Sequence, residues 1–243
     1  MTNLVYLRYE VLRTFRQKRF LVFSIGLPLV LYLAVASSNR HDHLGGVSFP
    51  LYYMAGMASW GAMLGIISCG SRISVERQLG WTRQLRITPL RTGSYFAAKV
   101  VCGYLVAMLT MLLLFLAGLS YHVQLTPGEW LAMSGLVLVG LVPFALLGIM
   151  FGHLLPPESL GPAVGGIAAL LALFGGAWGP IAAHGAFLSI VKLLPSYWLV
   201  QSGRVALGGG GWSAEGWAVL AGWTVVIALL AVAVYRRDTA RVA

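Results

Sequence analysis

The sequence predicts an all-α membrane protein with six transmembrane helices, and three features carry that reading. Hydrophobic residues fill 58% of the 243 positions and charged residues only 10%, against about 25% in an ordinary soluble domain. Apolar runs long enough to cross a bilayer recur along the chain, with basic residues gathered at their ends rather than inside them. Polar stretches stay short, so residues 1–243 read as a single membrane domain with no separate soluble unit. A net charge of +10 would suggest nucleic acid in a soluble chain, but here its placement sets orientation in the membrane.

Taken in order, residues 1–19 carry Arg8, Arg13, Arg16, Lys18 and Arg19 with one acid. Leu4, Leu7, Val11, Leu12 and Phe15 recur at helical spacing, which predicts an amphipathic N-terminal helix lying in the membrane interface. Residues 20–38 are charge-free and form the first crossing, with Pro28 as a kink site. Ala34-Val35-Ala36 has the look of a signal-peptidase site, yet the apolar run is longer than the usual 7 to 15 residues and holds a proline, which favours an uncleaved span. His41, Asp42 and His43 are metal-ligand types on one short loop; a closed site needs further ligands, so a solvated turn and no metal are expected. The second crossing lies within residues 51–70, the third runs from about 100 to 120, and the fourth from about 130 to 151 around Pro143. Cys69 and Cys102 both fall in apolar runs, which leaves no disulfide framework and no CxxC site.

A polar break at residues 152–160 contains Pro156, Pro157 and Glu158, and a fifth crossing follows to about residue 176. Gly175, Gly176, Gly179 and Pro180 then interrupt the apolar run. The segment after them, rich in Trp178, Phe187, Tyr197 and Trp198 and containing His184, is expected to re-enter or lie on the outer interface before the last crossing at residues 217–235. Residues 208–211 read as a flexible glycine turn. Six crossings put both termini on one side; fourteen of the seventeen basic residues then share that side, which makes it the cytoplasm.

Residues 72–99 form the loop between spans two and three. Six basic residues (Arg72, Arg77, Arg83, Arg86, Arg91, Lys99) stand against one acid, Glu76. At about 2.5 to 3.5 kcal/mol for each buried charge, the segment must lie outside the hydrocarbon. It divides at Gly80 into two short helical halves, the first allowing an Arg72–Glu76 pair and the second putting Trp81 opposite Arg83 and Arg86, with Pro89 as a stop. A docking surface is one reading, and a juxtamembrane helix resting on anionic lipid is the other.

No Asp, Glu, Lys or Arg falls within the six crossings so drawn, whereas ion-driven transporters place ionisable groups near the midplane. A phosphate loop is also missing, since no Gly-Lys dipeptide occurs. Energy must therefore come from a partner. His184 has no recognisable nucleophile or orienting group in the sequence, so an intramembrane enzyme is poorly supported, and an ATP-independent channel or facilitator is the alternative transport reading. Tyr53, Met57 and Trp60 line one helical face of span two; they suit either an amphipathic cargo or simple packing.

The loop residues Glu76-Arg77, Gly80, Arg83-Gln84-Leu85-Arg86, Thr88-Pro89-Leu90 and Ala98-Lys99 resemble the signature of membrane subunits of bacterial ABC transporters of the type-2 permease family, with Gln78 where an acid is common. The resemblance extends to the six-span plan. It implies a non-catalytic permease in the bacterial cytoplasmic membrane whose residues 76–89 form a coupling helix seated on a separate ATP-hydrolysing subunit. Glu76, Arg77, Gly80, Arg83, Arg86 and Pro89 would make that contact, and Glu158 a smaller second one. Two permease copies, or one paired with a related permease, would join two ATPase subunits carrying the ATP and Mg, leaving no cofactor in this chain. The implied activity is export of a lipophilic or amphipathic substrate such as a drug, antibiotic or lipid. Gly61 with Gly65, Gly148 with Gly152 and Gly161 with Gly165 are spaced for close helix contacts, including a contact between copies.

Overall fold

In the computed structural model, which describes residues 2–44, 47–81, 84, 87–181, 185–204 and 211–240, the chain is a helical bundle. Helix α1 (Thr2–Arg16) breaks at Gln17 and leads into α2 (Lys18–Ser38). Strands β1 (His43–Leu44) and β2 (Val47–Ser48) pair antiparallel and turn the chain into α3 (Phe49–Ser71). A short α4 (Ile73–Gln78) precedes the long α5 (Thr92–Ser120). Helices α6 (Pro127–Gly140) and α7 (Val142–Leu154) make one membrane-length helix interrupted at Leu141, and α8 (Pro157–Gly175), α9 (Ala186–Lys192), α10 (Pro195–Arg204) and α11 (Ala214–Ala240) complete the bundle.

Local chemistry sets the boundaries. Thr126 and Glu129 form a reciprocal capping box at the start of α6, with Pro127 in the first turn where its missing N–H costs nothing. Gly176 ends α8 in the left-handed region at φ +73°. Pro28 cannot donate to the Ser24 carbonyl, and the helix opens into a π turn over Val22–Gly26 just before it.

Among the described residues, five stretches are long and apolar enough to cross a membrane: α2, α5, α6 with α7, α8, and α11 as far as Asp238. Helix α3 differs. Its 23 charge-free residues would span about 35 Å, but Gly, Ala and Ser replace much of the Leu and Val of a lipid-facing helix. Nearly all of it is buried, against α5 and α7 above all and also against α2, α8 and α10. The small residues allow backbone-level contact: a Cβ on Gly148 would stand 2.5 Å from the Ile67 carbonyl oxygen. Two of the glycine pairs are thus used inside the chain, Gly61 and Gly65 against α2 and α5, Gly148 and Gly152 against α3 and Ile73, while Gly161 and Gly165 face open space.

Three expectations need correction. The third span was expected from about residue 100, but α5 starts at Thr92, which places Lys99 inside a membrane-length helix, about 10 Å from its start. Helix α1 buries its polar stripe, Glu10 and Thr14, and leaves Leu4, Val5, Tyr9 and Leu12 outward. Arg72 does not reach Glu76; its Nη1 donates to Thr14 Oγ1 at 3.3 Å. The histidine loop is a hairpin in which His43 Nδ1 lies 3.1 Å from the His41 carbonyl oxygen. Between α8 and α11 the described residues include two helices, of 7 and 10 residues, each too short to cross. His184 and most of the 208–211 turn lie outside the described residues.

Candidate functional site

Helix α4 follows α3 with no room to straighten, because Arg72 is the single residue between them. Successive helical side chains project about 100° apart, so Glu76 and Arg77 leave α4 in different directions and enter different charge clusters.

Glu76 is 0% exposed and sits between α1 and α5. Its Oε1 lies 2.5 Å from Lys99 Nζ and 2.8 Å from Arg13 Nη1, and its Oε2 accepts from the Tyr95 hydroxyl at 2.6 Å. Lys99, 2% exposed, reaches Glu10 Oε1 at 2.5 Å, and Arg13 is 3.6 Å from Glu10. Two carboxylates face two cations, so the cluster is neutral and its charges are paired, the condition under which burial is tolerable. Burial alone would raise the Glu76 carboxyl; the Lys99 charge and hydrogen bond, the Tyr95 hydroxyl and Arg13 outweigh it and hold the group below the ordinary carboxylate range. Tyr6 stays a phenol, its hydroxyl pushed up by burial and by the Glu10 and Glu76 carboxylates.

Arg77 turns toward α7 and α11. Its Nη1 donates to the carbonyls of Gly152 at 3.2 Å and His153 at 2.8 Å, and its Nη2 pairs with Asp238. Asp238 Oδ2 lies 2.9 Å from His153 Nδ1, and the rings of Phe96 and Tyr235 flank that imidazole. Ser74 adds a bond to the Leu155 carbonyl. One turn and a half of helix is therefore tied to α1 and α5 on one side and to α7 and α11 on the other.

A family model for ABC-2 family transporter proteins matches residues 42–234 of this arrangement. The chain belongs to the ABC-2 transporter family. It is 29% identical over 238 residues to the putative transport permease YvfS of Bacillus subtilis (strain 168), a match covering 95% of this chain and 96% of that protein. The protein is a multi-pass membrane permease of this family, whose members are normally non-catalytic.

Within this ABC-2 permease the loop residues divide. Glu76 and Arg77 point into the bundle end, while Gly80 takes φ +71°, which only glycine adopts cheaply, and Pro89 is exposed. Arg83 and Arg86 lie outside the described residues. The outward side presents Val75, Leu79 (72% exposed), Trp81 and Ile87 (88% exposed). Glu158 is exposed in the first turn of α8, where a carboxylate complements the helix dipole. Tyr53, Met57 and Trp60 are buried core residues of α3: Tyr53 stacks on Phe49 at 5.6 Å, and Trp60 meets Trp178 edge-on at 5.4 Å. Glu10, Arg13, Tyr95 and Asp238 escaped the sequence reading as site residues, and Lys99 entered it only as part of a motif. Their signal was the lone acid Glu10 within a basic helix, at i, i+4 and i+8 with Tyr6 and Thr14.

Proposed function

We propose that this chain is the permease subunit of an ATP-driven exporter of lipophilic or amphipathic molecules, drug, antibiotic or lipid, working as two copies with two separate ATPase subunits. Residues 76–89 serve as the coupling element, in a six-span layout with α3 as the second span, α9 and α10 as the re-entrant segment, and α1 in the cytoplasmic interface of the bacterial membrane. The observation that carries this reading is the clamping of α4: an exposed apolar patch suited to a protein groove sits on a helix whose other sides are tied by ion pairs to α1, α5 and α11 and by hydrogen bonds to the carbonyls of α7. The open face at Gly161 and Gly165 offers a seam for the second copy.

The contact then belongs to Val75, Leu79, Trp81 and Ile87, with Glu76 and Arg77 holding α4 behind them. Leu79→Asp, on a fully outward side chain, tests this without touching the ion pairs. Expected are normal membrane insertion and melting temperature, loss of co-purification with the partner ATPase, and loss of ATP-dependent uptake into inverted vesicles. Transport that persists without nucleotide would favour a facilitator, and normal uptake by the variant would remove the patch from the mechanism.

A further inference from the structure

The elbow between α1 and α2 carries chemistry that the transport reading does not use. Residues Arg16, Gln17, Lys18, Arg19 and Phe20 line an open hollow of about 420 Å³. Three cations crowd into four positions, all exposed, with no carboxylate at ion-pair distance among the described residues. Glu10 and Glu76 are spent on Lys99 and Arg13. Behind the hollow, the Arg72 guanidinium stands 5.4 Å from the Phe20 ring centre, and its buried Nη2 has no hydrogen-bond partner among the described residues. A buried orphan donor beside an uncompensated basic hollow calls for an anion.

The surface that continues from the hollow identifies the kind of anion. Val22, Phe23, Leu27 and Val30 are all exposed along α2 immediately below it, in the first apolar turns of a membrane-length helix. A cationic head site joined to an apolar track matches an amphiphile, whereas a soluble phosphate would leave the track unused. We propose that the α1–α2 elbow binds the phosphate headgroup of an anionic membrane lipid, with its acyl chains lying along the exposed face of α2. Arg13 and Thr14, one turn before the hollow, tie α1 to Glu76 and Arg72, so the occupied elbow borders the charge network.

The test is native mass spectrometry of the detergent-purified full chain with phosphatidylglycerol, phosphatidylcholine of the same acyl chains, and glycerol 3-phosphate. Phosphatidylglycerol should be retained preferentially, and glycerol 3-phosphate should not displace it at matched concentration. The Arg16→Gln/Lys18→Gln/Arg19→Gln variant should bind at least tenfold more weakly, since one basic residue at an anionic surface is worth about fivefold. The Arg8→Gln/Arg91→Gln/Arg237→Gln variant removes the same charge elsewhere and should stay within about threefold of wild type. On the unaltered protein, a phosphatidylglycerol photoactivatable near its headgroup should label residues 16–20. Equal losses in the two triple variants, equal retention of phosphatidylcholine, displacement by glycerol 3-phosphate, or labelling spread over all basic loops would each overturn the proposal.

Discussion

Lys99→Met removes the cation shared by Glu10 and Glu76 while keeping much of the side chain's volume. Two charge-assisted hydrogen bonds disappear, each worth about 1.5 to 3 kcal/mol. The two carboxylates then face each other with Arg13 as their remaining cation among the described residues, and leaving a buried charge unpaired costs about 3 to 5 kcal/mol. Both routes place the loss near 4 kcal/mol, which for a chain of this size lowers the melting temperature on the order of 10 °C. The assay is thermal unfolding in detergent for Lys99→Met, Glu76→Gln and the double variant. Because Glu76→Gln removes the charge that Lys99→Met strands, the double variant should be more stable than Lys99→Met alone, with an interaction of roughly 1 to 3 kcal/mol. A Lys99→Met protein melting within about 2 °C of wild type, or strictly additive losses, would refute a buried, mutually dependent cluster.

Acidification probes the same group from another side. The folded-state carboxyl of Glu76 is held below its unfolded value, so its contribution is complete above the unfolded pKa and fades as pH falls through the lower folded one. The melting difference between wild type and Glu76→Gln should therefore be constant from neutral pH to about 5 and close below about 4. Gly148→Ala forces a Cβ against the Ile67 carbonyl and should cost about 1 to 3 kcal/mol, whereas Gly165→Ala, with open space around it, should be neutral or gain up to about 1 kcal/mol in detergent. Asp238→Asn takes the charged partner from Arg77 and His153; a loss of about 1 to 3 kcal/mol and faster proteolysis after Tyr235 are expected.

Much of the fold was legible because bilayer physics acts on composition and length. Residues 20–38, 100–120, 130–151, 161–176 and 217–235 each lie in a stretch long and apolar enough to cross, with ends moved by a few residues. Lys99 marks the limit of that reasoning. A rule that ends a span at the first charge stops α5 at residue 100, yet the helix runs to Thr92 because Glu10 and Glu76, 89 and 23 positions away, neutralise the ammonium. Hydropathy along one helix holds no record of a partner on another. The same gap hid the inward stripe of α1: the spacing of Leu4, Leu7 and Leu12 marked an apolar face, yet Glu10 and Thr14 are the buried side chains and α5 packs against this helix. Residues 51–70 were expected to cross as well, but α3 is not among the stretches apolar enough to do so; its Gly, Ala and Ser pack it against neighbouring helices instead.

The charge network also decides what a push on α4 does. Six residues cannot store much elastic energy, and sliding them away from the bundle would break the Glu76 cluster, the Arg77–Asp238 pair or both. Stranding a buried charge costs about 3 to 5 kcal/mol, while rigid-body tilting of packed helices keeps every pair intact. The lower-energy response is for α4 to move with its anchors, α1 and α5 through Glu76, α7 and α11 through Arg77. Because α5 and α7 both pack against α3, a displacement of α4 bears on the helix that holds Tyr53, Met57 and Trp60. A separate motor pressing on Val75, Leu79 and Trp81 would therefore act on the bundle interior without any charge crossing the membrane. Neutralising both anchors at once, Glu76→Gln with Arg77→Gln, should uncouple ATP hydrolysis from transport: ATPase turnover persists in the assembled complex and vesicle uptake falls to background. Uptake that stays proportional to turnover in that double variant would show that the force travels by another route.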